Sequence, residues 1–577
     1  MASPQRHTNT NTQGKTVTHT SRISLFPRSI AITLLTAAAL SACGGGGDEQ
    51  PATTAGTPST PPTPDLPSPK PTPAIAATPA CTNCGAIDAN TYAGDGVGVW
   101  QHINAEASAV DVPISISGLR GHDVTLVFTN ETGIAQTMPS ISLTTSNSSN
   151  VVARALKWDD GAIPSKRRIS EFNREGWAAL AGTRGMTPSF SMTSAPNQSA
   201  VNDTRTWYHS DDSARSATLV RQRVAADGTT INFWLEDSEN DATKVSSAIV
   251  DLLANNFASS GRIYDMVKAV GGPVWGSHTY SNLIGGTDRP IDIVILNFDS
   301  NGQPFGEVGY FYSRNAIKQV PIINPYSNES VSLYLDAETL YLGGADGLRE
   351  MLVTMAHEAM HMQNFYRRSV LKGPAHMFAE WLDEASAMMM EDFASLSIDE
   401  EYNTIRDVRL PEYIGYKAGS YNCSLITWTP YAESCESYAV SGSFGGFLNR
   451  QLGLDFYKAM LTDFSSTNSA SVLDSAIRSV EPTSSLGEQL RRFAATSGAL
   501  MKSPSPAGYG FPERVDGPFT LPVIDPQTLL PSRTLTQSVP ATLESYASLP
   551  VVRTAVSGIY SETVKVPAGT TLSVVIQ

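Results

Sequence analysis

The stretch Leu348–Arg367, LREMLVTMAHEAMHMQNFYR, decides how the rest of the chain is read. Its apolar residues fall at Leu348, Leu352, Met355, Ala359, Met362 and Phe365, the spacing of a helix that packs one face inward over several turns. Neither Gly nor Pro interrupts it. On such a helix His357 and His361, four residues apart, stack on one face one turn above the other. Two neutral imidazoles so placed can grip one zinc ion at the roughly 2.0–2.1 Å that Zn–N bonds require. Glu358, one residue round the helix, then lies beside the metal, where it can take a proton from water. This is the chemistry of an HExxH run.

A catalytic zinc takes three protein ligands and keeps one position open. The next helical pattern runs from His376 to Phe393, with Phe378, Trp381, Leu382, Ala385, Met388 and Met389 as its buried stripe, and it offers carboxylates. Glu384 is the favoured third ligand. Glu380, one turn earlier, lies 19 rather than 23 residues past His361, and spacing alone does not separate the two.

The run His357 to Phe365, the connecting Tyr366-Arg367-Arg368, and then Trp381-Leu382-Asp383-Glu384-Ala385-Ser386-Ala387-Met388-Met389-Met390-Glu391-Asp392 resemble the hyicolysin-type metallopeptidases, family M30 of the gluzincins. The likeness spans about 207–503 and is dense between Glu350 and Phe393. It implies an α+β, gluzincin-like zincin domain, one catalytic Zn²⁺ held by His357, His361 and Glu384, and Glu358 as general base of an endopeptidase acting on protein or peptide substrates. The Trp-Leu-x-Glu context selects Glu384 over Glu380. Thermolysin-like gluzincins carry an Asp four residues after the ligand Glu to orient a zinc histidine, whereas here that position is Met388. Asp383, Glu380 and Glu391 are the alternatives. Some gluzincins bring a Tyr from a later helix to the developing oxyanion, and Tyr438, ahead of the helical stretch 443–451, is the candidate for that role. His278 and His376 lack metal-like spacing to the HExxH pair and read as structural or surface residues.

Working outward, 207–503 reads as the metallopeptidase domain. It opens on a hairpin, Ala217–Val220 and Thr230–Leu235 around the turn Asp227-Gly228, followed by a helix near 245–257 and the strand Ile291–Leu296. Strands come mostly first and helices after, an α+β order. Small β modules are expected on either side, one over 88–150 from runs such as Val112–Ile116 and Val124–Phe128, the other over 504–577. The stretch 151–206 is polar and without period, and reads as a connection or insertion.

At the N-terminal end Arg22 and Arg28 precede an apolar run, Ile30 to Leu40, too short for a permanent membrane helix and closing on small residues. Leu40-Ser41-Ala42-Cys43 resembles the lipobox of bacterial lipoproteins. That implies export, cleavage before Cys43, lipidation of its thiol and a place in the outer membrane or at the cell surface. Residues 44–87, rich in Pro, Gly and Thr, read as a tether. Setting Cys43 aside, the five cysteines leave Cys81 with Cys84 and Cys423 with Cys435, two local disulfide candidates suited to an oxidising exterior. The 55 acidic residues outnumber the 40 basic ones, and the net charge of −15 excludes a nucleic-acid surface. The rival from another class is a surface-attached adhesin with a vestigial or structural zinc site, which the intact Glu358 disfavours.

Overall fold

The computed structural model describes residues 76–143, 164–185, 199–286, 289–416, 419–429 and 435–577. The export leader, Cys43 and most of the expected tether lie outside these residues. The remainder of that tether is not bare linker. Thr78–Pro79 pairs with Trp100–Gln101 as a short strand, and a Cys81–Cys84 disulfide closes the turn that follows.

The chain enters a sheet through β1 (Gly98–Ile103) and the long β2 (Val110–Asn130). It then builds a second, six-stranded sheet from β3 (Thr204–Tyr208), β4 (Ala214–Val224), β5 (Thr230–Glu236), β6 (Ile291–Leu296), β7 (Gly309–Phe311) and β8 (Val331–Asp336). Its spatial order is β7-β8-β6-β5-β4-β3. β5, β6 and β8 run parallel, β4 and β5 form the hairpin that Asp227-Gly228 signals, and β7 is an antiparallel edge. All six residues of β6 are buried, because both faces of the sheet are covered. Ile291, Ile293 and Ile295 face the helical core, while Val294 and Leu296 join Trp207, Trp234, Tyr310 and Tyr334 on the other side.

Helices α1 (Ser247–Ala258), capped by Ser246, and α2 (Ile263–Gly271) precede the two long ones, α3 (Gly344–Asn364) and α4 (Glu380–Ile398). His376 lies before α4, in a short 3₁₀ turn. Next come α5 (Ser437–Thr462), α6 (Ser469–Val480) and α7 (Leu486–Gly498). Glycines bring α5 close to α4: a Cβ on Gly445 would stand 2.8 Å from Cγ of Met389. A bidentate pair with no solvent exposure, Arg450 to Asp392 (2.7 and 3.2 Å), locks the two helices together. A mixed α+β architecture with a helical core results.

Two boundaries differ from the sequence reading. The hairpin Arg514–Asp516 and Phe519–Leu521 belongs to the helical core, where Phe519 and Leu521 are buried and Phe519 meets Phe393 edge-on at 5.1 Å. The chain then returns through β9 (Ser548–Val566) and β10 (Thr570–Ile576) to pair with β2, and β10 lies between β1 and β2. The β modules expected at either side are thus one sheet. Neither half could cover its apolar face alone. Trp100, Ile114, Leu126 and Phe128 need Leu572, Val574 and Ile576 to complete a core.

The stretch read as a connection or insertion also carries structure. Residues 164–180 are helical with a π-helical turn at Phe172–Gly176, and Trp177 is fully buried against Phe365 and Tyr280. Ile169, Phe172, Trp177, Ala178 and Leu180 anchor it, and because Phe172 and Trp177 flank a π-helical turn their spacing departs from a regular helical period.

Candidate active site

α3 and α4 carry the site side by side. His357 and His361 project from one face of α3, with Nε2 atoms 3.0 Å apart. Oε2 of Glu384, on the second turn of α4, stands 3.1 Å from Nε2 of His357 and 3.6 Å from that of His361. Glu358 follows His357 on the same helix and is buried.

The outer nitrogens of both rings are held by carboxylates from α4. Nδ1 of His357 meets Oε1 of Glu391 at 2.6 Å, and Nδ1 of His361 meets Oδ2 of Asp383 at 2.8 Å. Each carboxylate is anchored in turn. Asn364 donates to Asp383 (2.7 Å), while Thr404 (3.0 Å) and the Arg409 guanidinium (3.4 Å) reach the second oxygen of Glu391. These partners direct each Nδ1–H outward and each Nε2 toward the Glu384 oxygen, so that a neutral ring presents its Nε2 lone pair there. Three lone-pair donors that close, one of them anionic, make a cation-binding constellation, and two imidazoles with one carboxylate are a donor set that Zn²⁺ takes.

The electrostatics agree. Burial works to lower the His357 imidazole, but hydrogen bonds to Glu384 and Glu391 outweigh it and push it up to about 9. Burial opposes His361 likewise, and Asp383 and Glu384 raise it well above its ordinary value. Glu384 is held well below the carboxylate range, against burial, by the two histidines. The pocket therefore favours positive charge. Behind it, burial and the nearby Glu391 push Glu350 up to about 7.

Glu380 is taken up elsewhere: it accepts a hydrogen bond from Ser170 (2.7 Å) and pairs with Arg174 (3.3 Å) of the segment 164–180. Tyr438 sits on the first turn of α5, edge-on to Trp428 at 4.7 Å and with the Arg409 guanidinium 5.5 Å from its ring centre. Arg409 thus links it to Glu391. His278 is buried with Nε2 2.9 Å from the carbonyl of Ile284, and the carbonyl of His376 accepts from Arg368 (2.8 Å). Cys423 and Cys435 are joined by a disulfide.

The sequence reading left the partners of the zinc-type histidines open among three acids. Glu391 lies seven residues past Glu384, two helical turns on the same face, a signal that was available. Thr404 and Arg409 come from the segment after α4, and nothing in their spacing marks them.

The sequence matches the peptidase M30 family over residues 211–577, a stretch that holds α3, α4 and both β9 and β10. The chain belongs to the peptidase M30 family. A curated relative, the neutral metalloprotease ShpI of Staphylococcus hyicus, is 27% identical over 334 residues, which cover 55% of this chain and 67% of the relative. Residues 79–143 match a further family, a domain of unknown function designated DUF8571. This M30 member is a metallopeptidase, and its His357, His361 and Glu384 form the group among the described residues able to hold a metal ion. No helix among the described residues is long and apolar enough to cross a membrane.

Proposed function

We propose that this M30 metallopeptidase is a zinc-dependent endopeptidase with a gluzincin-type site, in which His357, His361 and Glu384 are the ligands and Glu358 is the general base. The observation that carries the reading is the convergence of both Nε2 atoms and the Glu384 oxygen within 3.0–3.6 Å, with each ring backed by its own carboxylate. When bound there, zinc supplies Lewis acidity to the scissile carbonyl and makes water acidic enough to be deprotonated near neutrality. Glu358 takes the proton of the attacking water and delivers it to the leaving amine. Asp383 and Glu391 hold the two rings so that neither must reorganise during turnover. Tyr438 is the proposed donor to the oxyanion, supported by its place on the first turn of α5 beside Arg409.

The same reading makes the protein an exported lipoprotein, tethered through Cys43 to the outer membrane or cell surface. That part rests on the lipobox-like run and on the tether composition. A vestigial site in an adhesin would not need the intact Glu358 or the two ring-orienting acids.

The test is metal analysis together with casein digestion. The wild type should hold one zinc per chain and lose activity to a chelator. Glu358→Gln should keep the zinc and lose turnover by a factor on the order of 10²–10⁴, the share a positioned general base contributes. A fully active Glu358→Gln enzyme would remove the assignment.

A further inference from the structure

β7 is the free edge of the six-stranded sheet and runs beside the catalytic helix. Gly309 packs so closely on α3 that a Cβ there would lie 2.5 Å from Cγ2 of Thr354, one turn before Glu358. Two residues on, the Phe311 ring is 5.7 Å from that of Phe365, one turn past His361. The strand thus passes the level of both histidines. On its inner side the backbone amide of Asp336 donates to the carbonyl of Val308 (3.0 Å), so by the alternation of an antiparallel ladder Gly309 and Phe311 turn their amides and carbonyls to the open side. An extended peptide beside the site would pair with those groups as an added strand.

Part of that edge is already occupied. Nδ2 of Asn173 donates to the Phe311 carbonyl at 2.8 Å, and the Ser313 amide donates to Oδ1 of the same side chain at 2.8 Å. One carboxamide thereby reproduces the donor and acceptor that a substrate peptide group would offer. Asn173 lies in the π-helical turn of the segment 164–180, whose two ends are pinned. Ser170 and Arg174 hold Glu380 on α4, Ser165 donates to Glu307 (3.0 Å), and Trp177 is buried beside Phe365. The segment precedes the stretch that matches the peptidase family.

We propose that 164–180 is a strap that caps the downstream half of β7 through Asn173 and confines extended peptide substrates to the Gly309 end. Substrate residues on one side of the scissile bond then gain no main-chain pairing, while those on the other side do. The inference rests on the peptidase reading and deepens it.

The experiment uses the zinc-loaded full chain and peptides sharing one cleavable bond, lengthened one residue at a time on either side. For the wild type, kcat/KM should rise with length on one side and level off within about two residues on the other, the span of one pair of ladder bonds. In Asn173→Ala the flat side should begin to respond, with a gain of roughly fivefold for the longest peptides, the size of one or two net hydrogen bonds. That gain should appear in KM, because ladder bonds form alike in ground and transition states. Asn173→Asp, which keeps the bond from Ser313 but has no donor for Phe311, should move in the same direction. A wild-type profile that rises equally on both sides overturns the inference without any variant. So does a folded Asn173→Ala enzyme with the wild-type profile. A zinc-loaded wild type that cleaves no peptide overturns both the inference and the peptidase reading beneath it.

Discussion

Glu391 stands two helical turns beyond Glu384 on α4, and its Oε1 lies 2.6 Å from Nδ1 of His357. One helix therefore supplies a candidate ligand and, through Asp383 and Glu391, the supports of both histidines on the other. Glu391→Gln keeps an acceptor for Nδ1–H but removes the charge behind it. Zinc affinity should fall ~10–100-fold, as changes behind a metal-bound histidine do elsewhere. Chelator competition measures it, and unaltered affinity would count against the role.

Arg409 is a cation shared by a set of buried acids: it lowers Glu391 and opposes the upward shifts of Glu350 and Glu436. Its side chain is 7% exposed. Arg409→Met should destabilise the fold by roughly 3–5 kcal/mol, the cost of leaving buried charge uncompensated, and weaken zinc binding as well. In a Glu391→Gln background the further loss of zinc affinity should shrink. Denaturant unfolding and chelator competition give the two readings.

Glu350 titrates at about 7 in the folded protein, chiefly because it is buried, against 4.5 for its ordinary value. The folded state thus keeps a proton that the unfolded state releases, so this group's contribution to stability is full below about 4.5 and is lost as pH rises through 7. Glu350→Gln should remove that decline. The variant should match the wild type near pH 5 and exceed it by about 2–3 kcal/mol near pH 8. Unfolding curves at the two values decide it, and a constant difference between the proteins would refute the account.

Glu384 and Glu380 sit one turn apart and should behave differently. Glu384→Ala should lower zinc affinity by more than the ~100-fold that changes behind the ligands reach. Glu380→Ala should leave the metal in place and cost no more than about 1 kcal/mol, since its pair with Arg174 is partly exposed. Metal content of the two purified variants separates the roles.

What could be read from the chain was what is local. α3 and α4 announce themselves by periodicity, and His357, Glu358 and His361 by a spacing that a single helix enforces. β6 shows as an unbroken apolar run because both its faces are covered. The strap did not show, since its hold on β7 depends on a single Asn and its apolar anchors are interrupted by a π-helical turn in a polar stretch. The supports of the histidines were visible only as a short list of acids, because which carboxylate reaches which ring is set by how α3 and α4 cross. The joining of the two β regions was hidden for a similar reason: alternation tells a strand which face to bury, but not against which partner.

That joining has a consequence for how the molecule is made. Gln101 donates a hydrogen bond to Ser573 across 472 positions of sequence, and β10 is an inner strand of its sheet, flanked by β1 and β2. As the chain is synthesised, β1 and β2 must wait with an uncovered apolar face while the whole helical core is made. Contacts of such separation form slowly. The interval is one in which a chaperone has something to hold.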